Sequence, residues 1–241
     1  MKTIGLIGGM SWESSLEYYR IINDRTKEKL GGLNSAKCIL YSVNFADIEL
    51  LQHQGRWEES AEVLGETAHS LERAGADFVV LCTNTMHKVA DAIASHITIP
   101  FLHIADATAA SVKAQGLNTV GLLGTRFTME QDFYRGRLVE QHGLSILMPD
   151  EAERQIIHDV IYDELCCGVI NPASKQRYIQ IMNRLVEAGA EGIILGCTEI
   201  EALIQPEDIA VPVFPTAKIH AEAAVDFALH TTPVSSETPY G

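Results

Sequence analysis

The residue types with the most chemical capacity in this chain meet in one stretch, Gly192-Ile-Ile-Leu-Gly-Cys-Thr-Glu-Ile200, which sets a thiol at the end of a short apolar run. Where a strand runs out and a helix begins, free backbone N–H groups and the helix dipole favour a thiolate, pulling the pKa below its usual value of about 8.5. Cys197 in that setting is a candidate acid/base. Taken alone it reads first as a buried, inert cysteine; a second copy of the motif changes that.

The copy is Ala74-Gly-Ala-Asp-Phe-Val-Val-Leu-Cys-Thr-Asn-Thr85. Set beside Ala188-Gly-Ala-Glu-Gly-Ile-Ile-Leu-Gly-Cys-Thr-Glu199, it pairs Gly75 with Gly189 and Leu81 with Leu195, each 114 residues apart. That register places Thr83 opposite Cys197 and Asn84 opposite Thr198. Thr3-Ile-Gly-Leu-Ile-Gly8 repeats as Thr119-Val-Gly-Leu-Leu-Gly124 at a distance of 116, and Ile99-Pro-Phe101 as Val211-Pro-Val213 at 112. Three ordered matches describe two halves of one design. If the halves pack about a pseudo-twofold axis, Thr83 and Cys197 face each other from strand carboxyl ends, where open α/β sheets bind ligands.

The elements that must hold these residues alternate. Apolar runs predict strands over 2–7, 38–43, 78–82 and 99–102, then 119–123, 145–148, 192–196 and 211–214. Helical spacing predicts helices from Trp12, over 57–74, from Asn84 or Thr85, over 127–141, 151–167 and 173–188, from Thr198, and over 215–229. Residues 44–56 read as a polar connection opening on the helix at 57. The fold class is α/β: two similar three-layer parallel-sheet lobes with the active site in the cleft between them. The first lobe is expected to take 1–102 plus about 213–229, the second 103–212, and 230–241, punctuated by Pro233 and Pro239, to form a disordered tail. The turn Gly8-Gly-Met-Ser11 lacks the GxGxxG spacing of a dinucleotide site, and no P-loop lysine follows it.

Composition narrows the partners. The 241 residues are 46% hydrophobic and 21% charged, an ordinary globular balance, and the formal charge of -14 argues against nucleic acid, which requires clustered Lys and Arg. The five cysteines show no CxxC pair, so neither a zinc site nor a disulfide framework is expected, and a reducing cytoplasm is. Neither a signal peptide nor a membrane span is expected, because Gly8-Gly9 and Trp12-Glu13 interrupt the first apolar run.

Leu81-Cys-Thr-Asn-Thr-Met-His87 and Gly196-Cys-Thr-Glu199, with Gly5-Leu-Ile-Gly-Gly-Met10 and Gly124-Thr125, resemble the motifs of the cofactor-independent aspartate/glutamate racemases, over nearly the whole chain up to about residue 229. The resemblance implies a homodimer, no cofactor, no metal, and an acid/base from each lobe on opposite sides of the substrate Cα. The family's first motif usually reads Cys-Asn-Thr, whereas here Thr83 stands where that cysteine belongs. Cys82, one residue earlier, points to the other face of a regular strand. Thr-Asn-Thr resembles a bacterial subgroup acting preferentially on L-aspartate and L-glutamate. These likenesses imply that Cys197 deprotonates an L-amino acid and Thr83 returns a proton from the far side.

Asn84, Thr85 and Thr198 are then candidates to hold the α-carboxylate, with helix N-capping as the other use of Asn84 and Thr198. Met10 is expected to line the pocket, and Glu199 and His87 to orient or titrate with the acids. Where aspartate-specific relatives carry an arginine and a lysine, this chain has Ile48 and Cys166, leaving Gln52 as the polar candidate for the distal group. A malonate-type decarboxylase on the same fold and a noncatalytic small-ligand binder are the alternatives.

Overall fold

The computed structural model describes residues 1–230; the tail expected over 230–241 lies outside the described residues, except for His230. The first half runs β1 (Ile4–Gly8), α1 (Trp12–Leu30), β2 (Cys38–Ser42), α2 (Phe45–His53), α3 (Trp57–Arg73), β3 (Phe78–Leu81), a 3-10 turn (Thr85–Val89), α4 (Ala90–Ser95), β4 (Phe101–Leu102) and α5 (Ile104–Ala114). The second runs β5 (Thr119–Gly124), α6 (Arg126–Glu130), α7 (Asp132–Glu140), β6 (Ser145–Leu147), α8 (Glu151–Asp163), α9 (Pro172–Glu187), β7 (Gly192–Gly196), α10 (Ile200–Leu203), β8 (Val213–Pro215) and α11 (Thr216–Leu229).

Each half builds a four-stranded parallel sheet, in the orders β2-β1-β3-β4 and β6-β5-β7-β8. The sheets share register as well as order. Ile4 pairs with Phe78 as Val120 pairs with Gly192, and Val79 with Phe101 as Ile193 with Val213. These are the same pairs shifted by the sequence offsets, so the repeat in the sequence is a repeat of hydrogen bonding.

Central parallel strands are covered on both faces, which is why β1, β3 and β7 are apolar throughout and fully buried. Side-chain alternation sorts the first sheet into two cores. Ile4, Leu6, Phe78, Val80 and Cys82 pack with α1 and α11, while Ile7, Val79 and Leu81 pack with α2 and α3. The halves also exchange a helix. Ile104, Ala105, Ala109 and Val112 of α5, which follows the first sheet, sit in the core of the second; Ala217, Ala221, Ala224 and Val225 of α11, which follows the second, sit on the first.

Several expectations need correction. β8 hydrogen-bonds to β7, so residues 213–215 belong to the second sheet, and only α11 of the 213–229 segment packs on the first lobe. The supposed polar connection is α2, whose Ile48 and Gln52, four residues apart, bury one face. The helix expected over 127–141 breaks at Gln131, which is extended (φ -94°, ψ 149°). The one expected over 151–167 ends at Asp163; a 3-10 turn carrying Cys166 follows and closes on left-handed Gly168.

Candidate active site

Two matching turns deliver the central strands to the site. After α3 and after α9 the chain reverses through Gly75 (φ 97°) and Gly189 (φ 105°), a left-handed conformation that disfavours a side chain. Ala76 N–H returns to Leu71 O and Ala190 N–H to Leu185 O, both at 2.9–3.0 Å. The repeated Ala-Gly-Ala thus starts β3 and β7 in the same way, and the residues at their far ends are held by equivalent scaffolds.

Beyond those ends lies a narrow cavity of about 40 Å³. Thr83 and Cys197 both line it, and so do Met10, Gln52, Asn84, Thr85, Thr198 and Glu199, so eight of the nine candidate site residues named from the sequence share one space, His87 being the exception. The lining also includes Ser11, Phe45, Thr125, Ile161, Tyr162 and Cys166. Ser11 closes the first glycine turn and Thr125 belongs to the Gly124-Thr125 motif; the structure makes them the N-caps of α1 and α6 as well. Phe45 came with the missed α2. Tyr162 and Ile161 carried no signal beyond helical spacing.

Around Cys197 the polar groups form one network centred on Glu199. Its Oε2 accepts from Cys197 Sγ at 2.9 Å and from Thr198 Oγ1 at 2.8 Å. Its Oε1 accepts from Ser11 Oγ and lies equally close to Ser14 Oγ, both at 3.1 Å across the cleft. Ser14 Oγ is also 2.5 Å from Thr198 Oγ1, so its single proton serves one of these partners at a time. Thr198 is therefore part of the network and caps no helix. The thiol is 9% exposed, and burial followed by the Glu199 charge pushes its pKa well above the ordinary value. That overturns the expectation of a lowered thiol pKa: α10 is only four residues long and starts at Ile200, and the nearest charge is an anion.

Around Thr83 the partners are neutral. Asn84 Nδ2 donates to Thr216 Oγ1 at 3.0 Å, and Thr216 donates onward to Leu195 O at 2.8 Å. Because that hydroxyl proton is committed, the Asn84 atom facing it must be the amide nitrogen. Asn84 Oδ1 is buried and has no hydrogen-bond partner among the described residues. Thr85 Oγ1 lies 3.2 Å from Thr125 Oγ1, across the cleft. His87 does not line the cavity, and Cys82 is buried in the α1/α11 core.

For a distal side-chain group the site offers neutral atoms. Gln52 is buried and donates through Nε2 to the Met86 thioether at 2.9 Å. Ile48 is 1% exposed and sits in the apolar core. Cys166 reaches the cavity, its thiol pushed by burial to about 12. Among the described residues, the sole charged one in the lining is Glu199. Glu62, Glu66 and His96 bring donor atoms within 4.8 Å of one another, but none of them lines this cavity.

Residues 7–224 match the family model described as Asp/Glu/Hydantoin racemase. The chain belongs to this family. It is accordingly an enzyme of the isomerase class, an amino-acid racemase by family. A crystal structure described as a candidate Asp/Glu racemase from Yersinia pestis superposes with a TM-score of 0.91 at 54% identity, covering 95% of this chain and 100% of that one. An aspartate racemase homologue from Pyrococcus horikoshii gives 0.84 at 35% identity, with the same coverage. The broad specificity amino-acid racemase RacX of Bacillus subtilis is 22% identical over 231 residues, 92% of this chain and 96% of its own length. Two parallel-sheet lobes are the architecture that the racemase shares with these neighbours. Among the described residues no helix is long and apolar enough to cross a membrane.

Proposed function

We propose that this racemase inverts Cα of L-aspartate or L-glutamate without a cofactor, by proton transfer between two faces: Cys197 takes the α-proton and Thr83 returns one. The observation that carries it is that one cavity is lined by a thiol from the end of β7 and a hydroxyl from the matching end of β3. In the resting site the thiol is protonated and donates to Glu199 Oε2. Passing that proton to Glu199 leaves a thiolate, which removes the Cα proton of the L isomer; the electron pair moves into the α-carboxylate as an enediolate. Thr83 Oγ–H protonates the opposite face, forming the D isomer, and regains a proton from water, whose hydroxide takes the proton held by Glu199, so that every group returns to its starting form. A hydroxyl is a far weaker base than a thiolate, so turnover starting from the D isomer is slower, without any change in the equilibrium constant.

Substrate grip divides by donor and acceptor. The unpartnered Asn84 Oδ1 suits the α-ammonium, while Thr85, Thr198 and nearby backbone N–H groups suit the α-carboxylate, whose developing charge they stabilise. The names of the similar structures, an Asp/Glu racemase candidate and an aspartate racemase homologue, support aspartate and glutamate as substrates. Because the cavity's sole charged residue is the anion Glu199, the deciding experiment screens neutral as well as acidic L-amino acids. It follows α-proton exchange in D2O by NMR and D-isomer formation by chiral chromatography. Exchange and inversion that both vanish in Cys197→Ser support the assignment; a wild-type protein inactive across the panel overturns it. A homodimer is supported by Trp12, Leu16 and Tyr19, which expose an apolar face of α1, and a cytoplasmic location by five cysteines that are all free. A monomer mass by light scattering would remove the dimer.

A further inference from the structure

His87 lies behind the cavity, 2% exposed, and both ring nitrogens are engaged. The Thr83 carbonyl accepts from Nδ1–H at 2.7 Å, and the Ile104 N–H donates to Nε2 at 3.2 Å. The two partners fix one neutral tautomer, with the proton on Nδ1. The backbone N–H of His87 also donates to Asn84 O at 3.0 Å. One residue therefore holds the carbonyls of both Thr83 and Asn84, where β3 has ended and no sheet partner fixes the chain. At its other end the ring grips the first residue of α5, a helix anchored in the second lobe's core.

The surroundings keep this strut rigid and uncharged. His103, Phe101 and His220 pack their rings around it, with centroids 4.5, 5.7 and 5.8 Å away. Burial, with the neighbouring imidazoles, holds the His87 pKa well below its ordinary value. A second proton on the ring would set an N–H against the Ile104 N–H and break the strut.

Resting on the racemase reading above, we propose that His87 is a positioning residue for Thr83: its imidazole joins the Thr83 carbonyl to the start of α5 and so aims the Thr83 hydroxyl at the far face of the substrate. It touches neither the substrate nor Cys197, so its loss separates the two half-reactions. Misplacing a reacting group by about 1 Å can cost on the order of a hundredfold.

The test runs L-substrate in D2O and compares loss of the α-proton, which needs only Cys197, with appearance of the D isomer, which also needs Thr83. His87→Asn keeps an amide N–H near the Nδ1 position, whereas His87→Gln moves it toward Nε2; both are polar and of similar bulk. We expect His87→Gln to lower inversion about ten- to a hundredfold while exchange falls less than about threefold, and His87→Asn to restore most of the inversion. Equal losses of exchange and inversion in His87→Gln, or no loss of either, would overturn the positioning role. Wild-type protein showing neither exchange nor inversion would instead strike at the racemase reading itself, and the assignment of His87 would go with it.

Discussion

The two halves of the site occupy equivalent places and carry different chemistry. Thr83, Asn84, Thr85 and His87 stand 114 residues before Cys197, Thr198, Glu199 and Glu201. The geometry is kept: Thr85 reaches across to Thr125, which caps the first helix of the second half, as Glu199 reaches across to Ser11, which caps that of the first. His87 accepts from the N–H of Ile104 and Glu201 from that of Ala217, each at the start of the helix after a fourth strand. What differs is proton affinity. One side offers a thiol against a carboxylate; the other offers hydroxyls and a neutral imidazole. On the proposed reading, a duplicated scaffold fixes where the two groups stand, and side-chain type together with its surroundings decides which face carries the stronger base.

The sharpest way to break that comparison is to change one face at a time. Cys197→Ser should abolish exchange and inversion together, by about a thousandfold or more, because it removes the stronger base. Thr83→Ala should lower inversion about a hundredfold while L α-proton exchange persists, and Thr83→Cys should open turnover from the D isomer. Progress curves from each pure enantiomer check all three. D-isomer turnover unchanged in Thr83→Cys would deny Thr83 its place.

This asymmetry was half legible in the sequence. The offsets located both strand ends, because a parallel sheet needs continuous apolar runs and the Ala-Gly-Ala turns need a glycine; Thr83 and Cys197 followed at once. The cavity's outer wall did not follow. α2 escaped because its polar His53 and Asp47 hide a short buried face of Ile48 and Gln52, a pattern two turns long that periodicity does not resolve. The protonation of Cys197 is not legible for another reason: an apolar run followed by Thr and Glu suggests a helix dipole, yet the fold supplies four helical residues, deep burial and an anion 2.9 Å away. Local sequence places a thiol; its pKa belongs to the tertiary environment.

Glu199→Gln sharpens the difference between the halves more gently. The Glu199 charge is the second cause, after burial, that raises the Cys197 thiol, so removing it should lower the thiol pKa and speed alkylation of Cys197 by iodoacetamide at pH 8. Turnover should nevertheless fall about tenfold or more, because the amide cannot take the thiol proton. Slower alkylation with unchanged turnover would show that Glu199 serves only as a hydrogen-bond partner.

The smallest expected effect contrasts the buried imidazoles around His87 with Glu201 through stability against pH. Burial depresses the imidazoles, His103 to about 3 and His220 to about 4, with His87 also well below the ordinary 6.5. A base with a lowered folded pKa contributes stability that is present above 6.5 and lost as pH falls through 4 and 3. Burial raises Glu201 to about 8 from 4.5. Its contribution is present below 4.5 and lost as pH rises through 8. Urea midpoints measured from pH 4 to 9 should therefore peak near pH 6.5, where the two opposed losses meet, and decline on either side. Glu201→Gln should flatten the decline above pH 6.5 and steepen the rise between 4.5 and 6.5, whereas His220→Gln should soften the decline below 6.5 and leave the alkaline side as it is, since each removes one titration. If Glu201→Gln left the decline above pH 6.5 unchanged, Glu201 would not titrate in the opposite sense to the buried imidazoles, and the contrast between the halves would stop at backbone geometry.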